Sequence, residues 1–320
     1  MTGPNALTGA EIDRAEDHRR RDADWLAAQR ADPRARAVVL GDAGVRARDG
    51  AIERVPLDAL DAGREDALLL GLDARGPLFV VDEDPPRPGR RAPLVGAGGP
   101  RGEPAPDAPD RVGLRTAAQV LPQADGGLVA YAAGLLNWHR NHRHCAVCGA
   151  PTTVGEGGIL RACGACGTTH HPRTDPVVIM LVVDEEGDRV LLGRQETWPA
   201  RRYSALAGFV SPGESLEEAV AREVREEAGV RVGAPRYAGS QPWPFPASLM
   251  IGFLVPWDGG EIRVEDELED ARWFERDDVA AAAAVDDGDT SWEQLPPGDG
   301  LVLPPRSAIA RRLVEDWLAG

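Results

Sequence analysis

The chain has 320 residues, 42% of them hydrophobic, with a formal net charge of −16 and a pI near 4.9. That length holds two or three domains with a real core. The acidic balance argues against a broad phosphate-tracking nucleic-acid surface, which needs a basic stripe, while leaving room for a local contact with one nucleotide end.

Residues 1–22 are polar and contain no apolar stretch of the kind a secretory leader needs. The longest apolar run, 177–183, is a strand's length and far short of a membrane span. A cytoplasmic protein with no membrane association is therefore expected. Residues 1–35 are charged, with Ile12, Ala15 and Trp25 too sparse for more than a peripheral helix. Residues 37–40, 68–71 and 78–81 read as short strands, and 82–110, rich in Pro, Gly, Arg and Asp, as a long loop. Leu128, Tyr131, Ala132, Leu135 and His139 recur at helical spacing, which predicts a helix over 127–140. Residues 1–138 thus form a small α+β domain whose spacing shows no chemistry.

Cys145-Ala146-Val147-Cys148 and Cys163-Gly164-Ala165-Cys166 follow, separated by fourteen residues and each trailed by a glycine. Two such knuckles suit a closed, tetrahedral, structural Zn²⁺ site in a module spanning 139–171. A redox pair would need only one of them. Five of the six His flank the module, at 139, 142, 144, 170 and 171. They could replace a thiolate, but four thiolates suffice.

Beyond a rigid link at 171–176, residues 177–183 and 190–192 read as a hairpin and 203–210 as the strand that delivers the next helix. That helix is written with a start and a stop. Ser215 and Glu218 form a capping box, Gly229 ends it, and Leu216, Val220 and Val224 make one buried stripe. Glu223, Glu226 and Glu227 crowd beside that stripe at the negative end of the helix dipole, an unfavourable arrangement unless something offsets it. A hard divalent cation, Mg²⁺ or Mn²⁺, would do so, whereas a merely solvated acidic face would rely on Arg222 and Arg225. Further on, Ser240-Gln241-Pro242-Trp243-Pro244-Phe245-Pro246-Ala247-Ser248 is stiffened by three prolines and offers two aromatic faces, with Gln241 and Ser248 as polar readers. This suits a flat base or nicotinamide ring, although a Pro-rich core loop with buried aromatics has the same composition. Strands at 250–255 and 272–274, a helix at 278–285, a loop at 286–305 and an amphipathic helix at 307–319 complete an α/β/α layered domain over 172–320.

The stretch Gly208, five residues, Glu214, seven residues, then Arg222-Glu223-Val224-Arg225-Glu226-Glu227-Ala228-Gly229-Val230 resembles the Nudix box at every fixed position. The zinc ribbon ahead of it and the SQPWPFPAS segment resemble the NADH pyrophosphatases among the Nudix hydrolases, strongly over 139–320 and loosely before. The resemblance implies a Nudix sandwich, hydrolysis of NAD(H) to NMN(H) and AMP, removal of NAD caps from RNA 5′ ends, and a homodimer. It places metal ligands at Glu223, Glu226, Glu227 and Glu267, with the Ala207 carbonyl as a further position. It places substrate contacts at residues 241–248, at Phe209 beside the nicotinamide, at Ala310 in the last helix and at Arg115. Where the family often has Tyr before the Pro of the link, this chain has His171, whose imidazole can also stack. Arg222 is expected to orient the glutamates, and Glu227 to matter most. An RNA processor for which free NAD(H) is incidental is one alternative, and two other readings stay open. One is a Nudix enzyme for another nucleoside diphosphate derivative such as ADP-ribose. The other is a nucleic-acid-binding zinc-ribbon protein with an inactive Nudix domain, against which the intact glutamate set and the charge both count.

Overall fold

Two mixed sheets, one in each half of the chain, carry the structure, a computed structural model that describes residues 4–60, 65–85, 110–265, 267–285, 292 and 295–320. The N-terminal half holds strands β1 (Arg36–Gly41), β2 (Gly44–Arg48), β3 (Ala51–Ile52), β4 (Arg54–Pro56), β5 (Leu68–Asp73), β6 (Gly76–Asp82) and β7 (Arg111–Val112). They order β3-β2-β1-β6-β5, with β4 added to β1 and β7 to β2. β1 and β6 pair in parallel, and both are apolar runs because both faces of the sheet are covered. The peripheral helix expected near the start is α1 (Ala23–Ala31), where Asp22 accepts from the backbone N–H groups of Asp24 and Trp25. Helix α2 (Leu114–Val120) was not legible, and α3 (Gln123–Asn141) starts four residues before the expected 127–140 helix and ends one beyond it. Most of the loop read at 82–110 lies outside the described residues, as does part of the one at 286–305.

The ribbon follows as β8 (Thr152–Gly155), β9 (Leu160–Cys163) and β10 (Thr169–His170), ordered β10-β9-β8. The border drawn at 138/139 falls inside α3, where Trp138 and His139 are both buried. His139 bonds the Gly158 carbonyl at 2.7 Å through Nε2, and its Nδ1 accepts from Arg161 at 2.9 Å. The ribbon and the N-terminal sheet form one compact unit, Leu7–Thr174, which also includes the distant residues Trp243–Ala247.

The second unit comprises Asp175–Pro242, Ser248–Gly320 and the segment ending at Ala6. Its strands are β11 (Asp175–Val183), β12 (Arg189–Arg194), β13 (Leu206–Phe209), β14 (Arg236–Trp243), β15 (Ser248–Pro256) and β16 (Asp270–Glu275). They order β14-β15-β11-β12-β16, with β13 on β11. Strand alternation splits β11 between two cores. Ile179 and Leu181 meet α5 (Arg276–Ala284) and α6 (Ile309–Leu318), while Val178, Met180 and Val182 meet α4 (Leu216–Ala228). This is the α/β/α sandwich expected.

Candidate active site

Helix α4 forms where its caps dictate. The Glu218 N–H donates to Ser215 Oγ at 3.2 Å, the Ser215 N–H donates to Glu218 Oε2 at 2.7 Å, and Gly229 closes the helix at φ 73°. Val220 and Val224 are buried against the sheet. That packing turns Glu223 and Glu227 inward, beside β13.

Strand β13 is shaped to receive them. Gly208 lies beneath Glu223, and a Cβ there would sit 1.8 Å from the Glu223 carboxyl carbon, so a side chain at this position would displace that carboxyl. One residue earlier, the Ala207 N–H donates to Glu227 Oε2 at 3.1 Å. Glu227 is 4% exposed. Burial, then the charges of Glu267, Glu223 and Glu226, push its pKa up to about 8. Burial also raises Glu223, against the pull of Arg222. Two carboxyls held away from water next to further carboxylates make a site that a cation would relieve, and their hard oxygen donors fit a hard divalent cation.

Arg222 spends all five N–H donors inside this cluster. Its Nε and Nη2 grip Glu214 at 2.7 and 2.8 Å, Nη1 reaches Glu223 at 2.7 Å and Glu226 at 2.8 Å, and Nη2 also reaches the Phe209 carbonyl at 2.9 Å. These bonds tie it to two of the glutamates of α4, Glu223 and Glu226. Glu214, to which no role was given from sequence, is its anchor, and Arg222 holds the Glu214 pKa down at about 2. Glu226 and Glu267 are exposed, unlike Glu223 and Glu227. The four glutamates are not closed around a point: among the described residues, only the four cysteines bring three or more ligand atoms within 4.8 Å of one another.

At the ribbon, Cys145 and Cys166 sulfurs lie 3.6 Å apart and Cys148 and Cys163 sulfurs 3.5 Å. Tetrahedral Zn–S bonds place sulfurs about 3.8 Å apart, so the cluster fits the ion. Backbone N–H groups of Cys148 and Val147 pull the Cys145 thiol down to about 7, and His170 Nε2 stands 3.3 Å from its sulfur.

The signature segment differs from the stiff loop expected. Its first four residues, Ser240 to Trp243, belong to β14, and Ser248 already begins β15. Gln241 is not a polar reader. It is 1% exposed, donates to the Ala6 and Ser307 carbonyls at 3.0 and 2.8 Å, and accepts from the Ile309 N–H at 2.8 Å, so it fastens β14 to the start of α6. In sequence a buried amide looks the same as an exposed one. Trp243 and Phe245 are half-buried and edge-to-face, with ring centroids 5.1 Å apart, and the exposed Arg115 lies over them, 4.4 Å from Phe245 and 5.7 Å from Trp243. Pro244 is buried, Pro246 exposed, and Pro242 and Ala247 half-buried. Phe209, at the end of β13, is 62% exposed and available to stack. His171 is exposed in the link, whereas Ala310 is buried in the core between α6 and the sheet.

A capped helix presenting inward glutamates to a glycine strand in an α/β/α sandwich defines a Nudix-type pyrophosphohydrolase site. Residues 173–294 match the NUDIX domain, 140–170 the NADH pyrophosphatase zinc ribbon domain, and 25–138 the NADH pyrophosphatase-like rudimentary NUDIX domain. The NAD-capped RNA hydrolase NudC of Mycobacterium tuberculosis (strain ATCC 25618 / H37Rv) is 45% identical over 217 residues, 67% of this chain and 67% of that one. The NAD-capped RNA hydrolase NUDT12 of Homo sapiens is 42% identical over 207 residues, 62% of this chain but only 43% of the human protein's length. A NUDIX hydrolase from Nitrosomonas europaea superposes with a TM-score of 0.37 and 25% identity, covering 42% of this chain and 77% of that one. The chain belongs to the zinc-ribbon NADH pyrophosphatase family of Nudix hydrolases.

Proposed function

We propose that the protein hydrolyses the diphosphate of NAD(H), adding water across one P–O–P link to give AMP and NMN(H), and that it also takes NAD-capped RNA 5′ ends. The observation that carries this is the pair of buried carboxyls beside β13, Glu223 held by an arginine with no donor left for substrate and Glu227 by the Ala207 N–H. Glu223, Glu226, Glu227, Glu267 and the Ala207 carbonyl would hold a divalent cation, which when bound neutralises diphosphate charge and lowers the pKa of an attacking water. Arg222 keeps Glu223 and Glu226 in place throughout. Phe209, Trp243, Phe245, Arg115 and His171 are assigned to the bases and ribose, with Gln241 and Ala310 supporting them from the core. The names of the mycobacterial and human relatives favour the capped-RNA substrate.

Purified protein incubated with Mn²⁺ or Mg²⁺ and NADH should yield AMP plus NMNH. Cleavage of ADP-ribose but not NADH would replace this reading. The four thiolates are assigned to structural Zn²⁺. A cytoplasmic homodimer completes the proposal, checked by light scattering of the purified protein. No helix among the described residues is long and apolar enough to cross a membrane.

A further inference from the structure

Of the residues assigned to the cation, only Glu267 lies off α4 and β13. It sits in the connection from β15 to β16, which holds no helix or strand among its described residues. A carboxylate on such a connection has no fixed place unless its neighbours are held. We infer that Arg194, the last residue of β12, is a positioning residue that keeps Glu267 beside the glutamates of α4 by clamping Glu269, while Gly193 seats the intervening Leu268. This rests on the functional reading above.

The seat comes first. A Cβ on Gly193 would stand 2.8 Å from Leu268 Cδ1 and 3.0 Å from Leu206 Cδ2, so the missing side chain leaves room for Leu268. Leu268 is 7% exposed and shares one core with Leu206, Val220, Val224 and Ala228, on the sheet face that α4 covers. Leu206 directly precedes Ala207, whose N–H holds Glu227. The clamp lies one residue further along each segment. The Glu269 N–H donates to the Arg194 carbonyl at 2.9 Å, and the Arg194 guanidinium pairs with the Glu269 carboxylate. Nη2 of the same guanidinium donates to the Trp198 carbonyl at 2.9 Å, which braces the side chain from the other side. The Arg194 side chain is only 12% exposed, so this pair is partly withdrawn from water and less screened than a surface one. Closing the sheet does not require it, because the β12–β16 ladder already runs from Arg189 opposite Glu275 to Arg194 opposite Asp270. Glu267 is thus one residue from a seated leucine and two from a clamped carboxylate. It cannot swing away from α4 without unseating the one or breaking the other. Its charge is felt by both buried carboxyls, raising Glu223 and Glu227.

Calorimetric titration of Mn²⁺ into the zinc-loaded full chain reads the clamp without turnover. Arg194→Met and Glu269→Gln should each weaken Mn²⁺ binding about tenfold, the usual size of a lost support behind a ligand, and lower kcat on NADH while KM stays within about twofold. Glu269→Gln keeps its shape at an exposed position, so folding is not at stake there. The double variant should be no worse than either single one, since the two groups act as a unit. Glu267→Gln should lose at least as much affinity, and Arg194→Met should add nothing in that background. A further tenfold loss on top of Glu267→Gln, or folded Arg194 and Glu269 variants that bind Mn²⁺ like wild type, would overturn the inference alone. Wild-type affinity in Glu267→Gln would remove that residue from the functional reading, and this inference with it.

Discussion

The two halves are built on one connectivity. β1 pairs in parallel with β6 and antiparallel with β2 and β4; β11 pairs in parallel with β15 and antiparallel with β12 and β13. β5 and β14 extend the sheets beyond β6 and β15, β7 and β16 beyond β2 and β12, and two helices follow in each case. β3 has no counterpart, and the main difference lies between the next matching strands, β4 and β5 in one half and β13 and β14 in the other. In the C-terminal half, α4 occupies the gap from β13 to β14. In the N-terminal half, Pro56 and Leu68 bound a segment shorter than α4 itself, whose described residues include a 3-10 turn at Leu57–Ala59. There the sheet face is covered instead by Trp25 and Leu26 of α1 together with Leu57, Leu60 and Ala67. A sheet can therefore be closed by ordinary apolar cover, and α4 brings carboxylates at a cost that stability alone would not select.

Removing the charge from α4 should make the C-terminal half as inert as its counterpart. Glu227→Gln is expected to fold, to lose on the order of 10³-fold in kcat on NADH, and to melt no lower than wild type at pH 8 without metal, because a buried charge has gone. Turnover near wild type would end the assignment. Gly208→Ala should displace the Glu223 carboxyl from β13, costing about 100-fold in kcat and about 1–3 kcal/mol of stability, read by chemical denaturation.

A pH dependence should separate the halves further. The Glu227 pKa is raised from 4.5 to about 8, so the folded state binds the proton more tightly than the unfolded chain. The stability this contributes is complete below about pH 4.5 and is lost as pH rises through about 8. Thermal melts of metal-free protein should fall across that window, flatten on adding Mn²⁺, and lose the dependence in Glu227→Gln. The smallest effect belongs to the N-terminal half. Glu65 and Asp66 lie in the segment that stands where α4 would be, and their joint change to Gln and Asn should leave kcat within about twofold.

Helix α4 was legible because everything that defines it is local: a capping box, a glycine stop, a four-residue apolar repeat and a cluster of glutamates. The hairpin of β11 and β12 and the closing helix were legible for the same reason. The N-terminal sheet was only half legible, since β3, β4 and β7 are two or three residues long and exist by pairing, not by pattern. Gln241 escaped because its role depends on partners 66 and 68 positions away, Ser307 and Ile309. Gly208 was read as a motif position, and its reason, the carboxyl lying against it, exists only in three dimensions.

The five residues Trp243–Ala247 also bear on how this protein can be cut and recombined. They are encoded in the middle of the catalytic half but folded into the other one, so a break at 174/175 gives no clean pair of modules. One fragment would carry an orphaned aromatic turn, and the other would keep Asn137, whose Nδ2 lies 3.4 Å from the Pro244 carbonyl, and Arg115, whose guanidinium lies over Trp243 and Phe245. Exchanging N-terminal halves between relatives should therefore give a folded protein only where the turn travels with its holder.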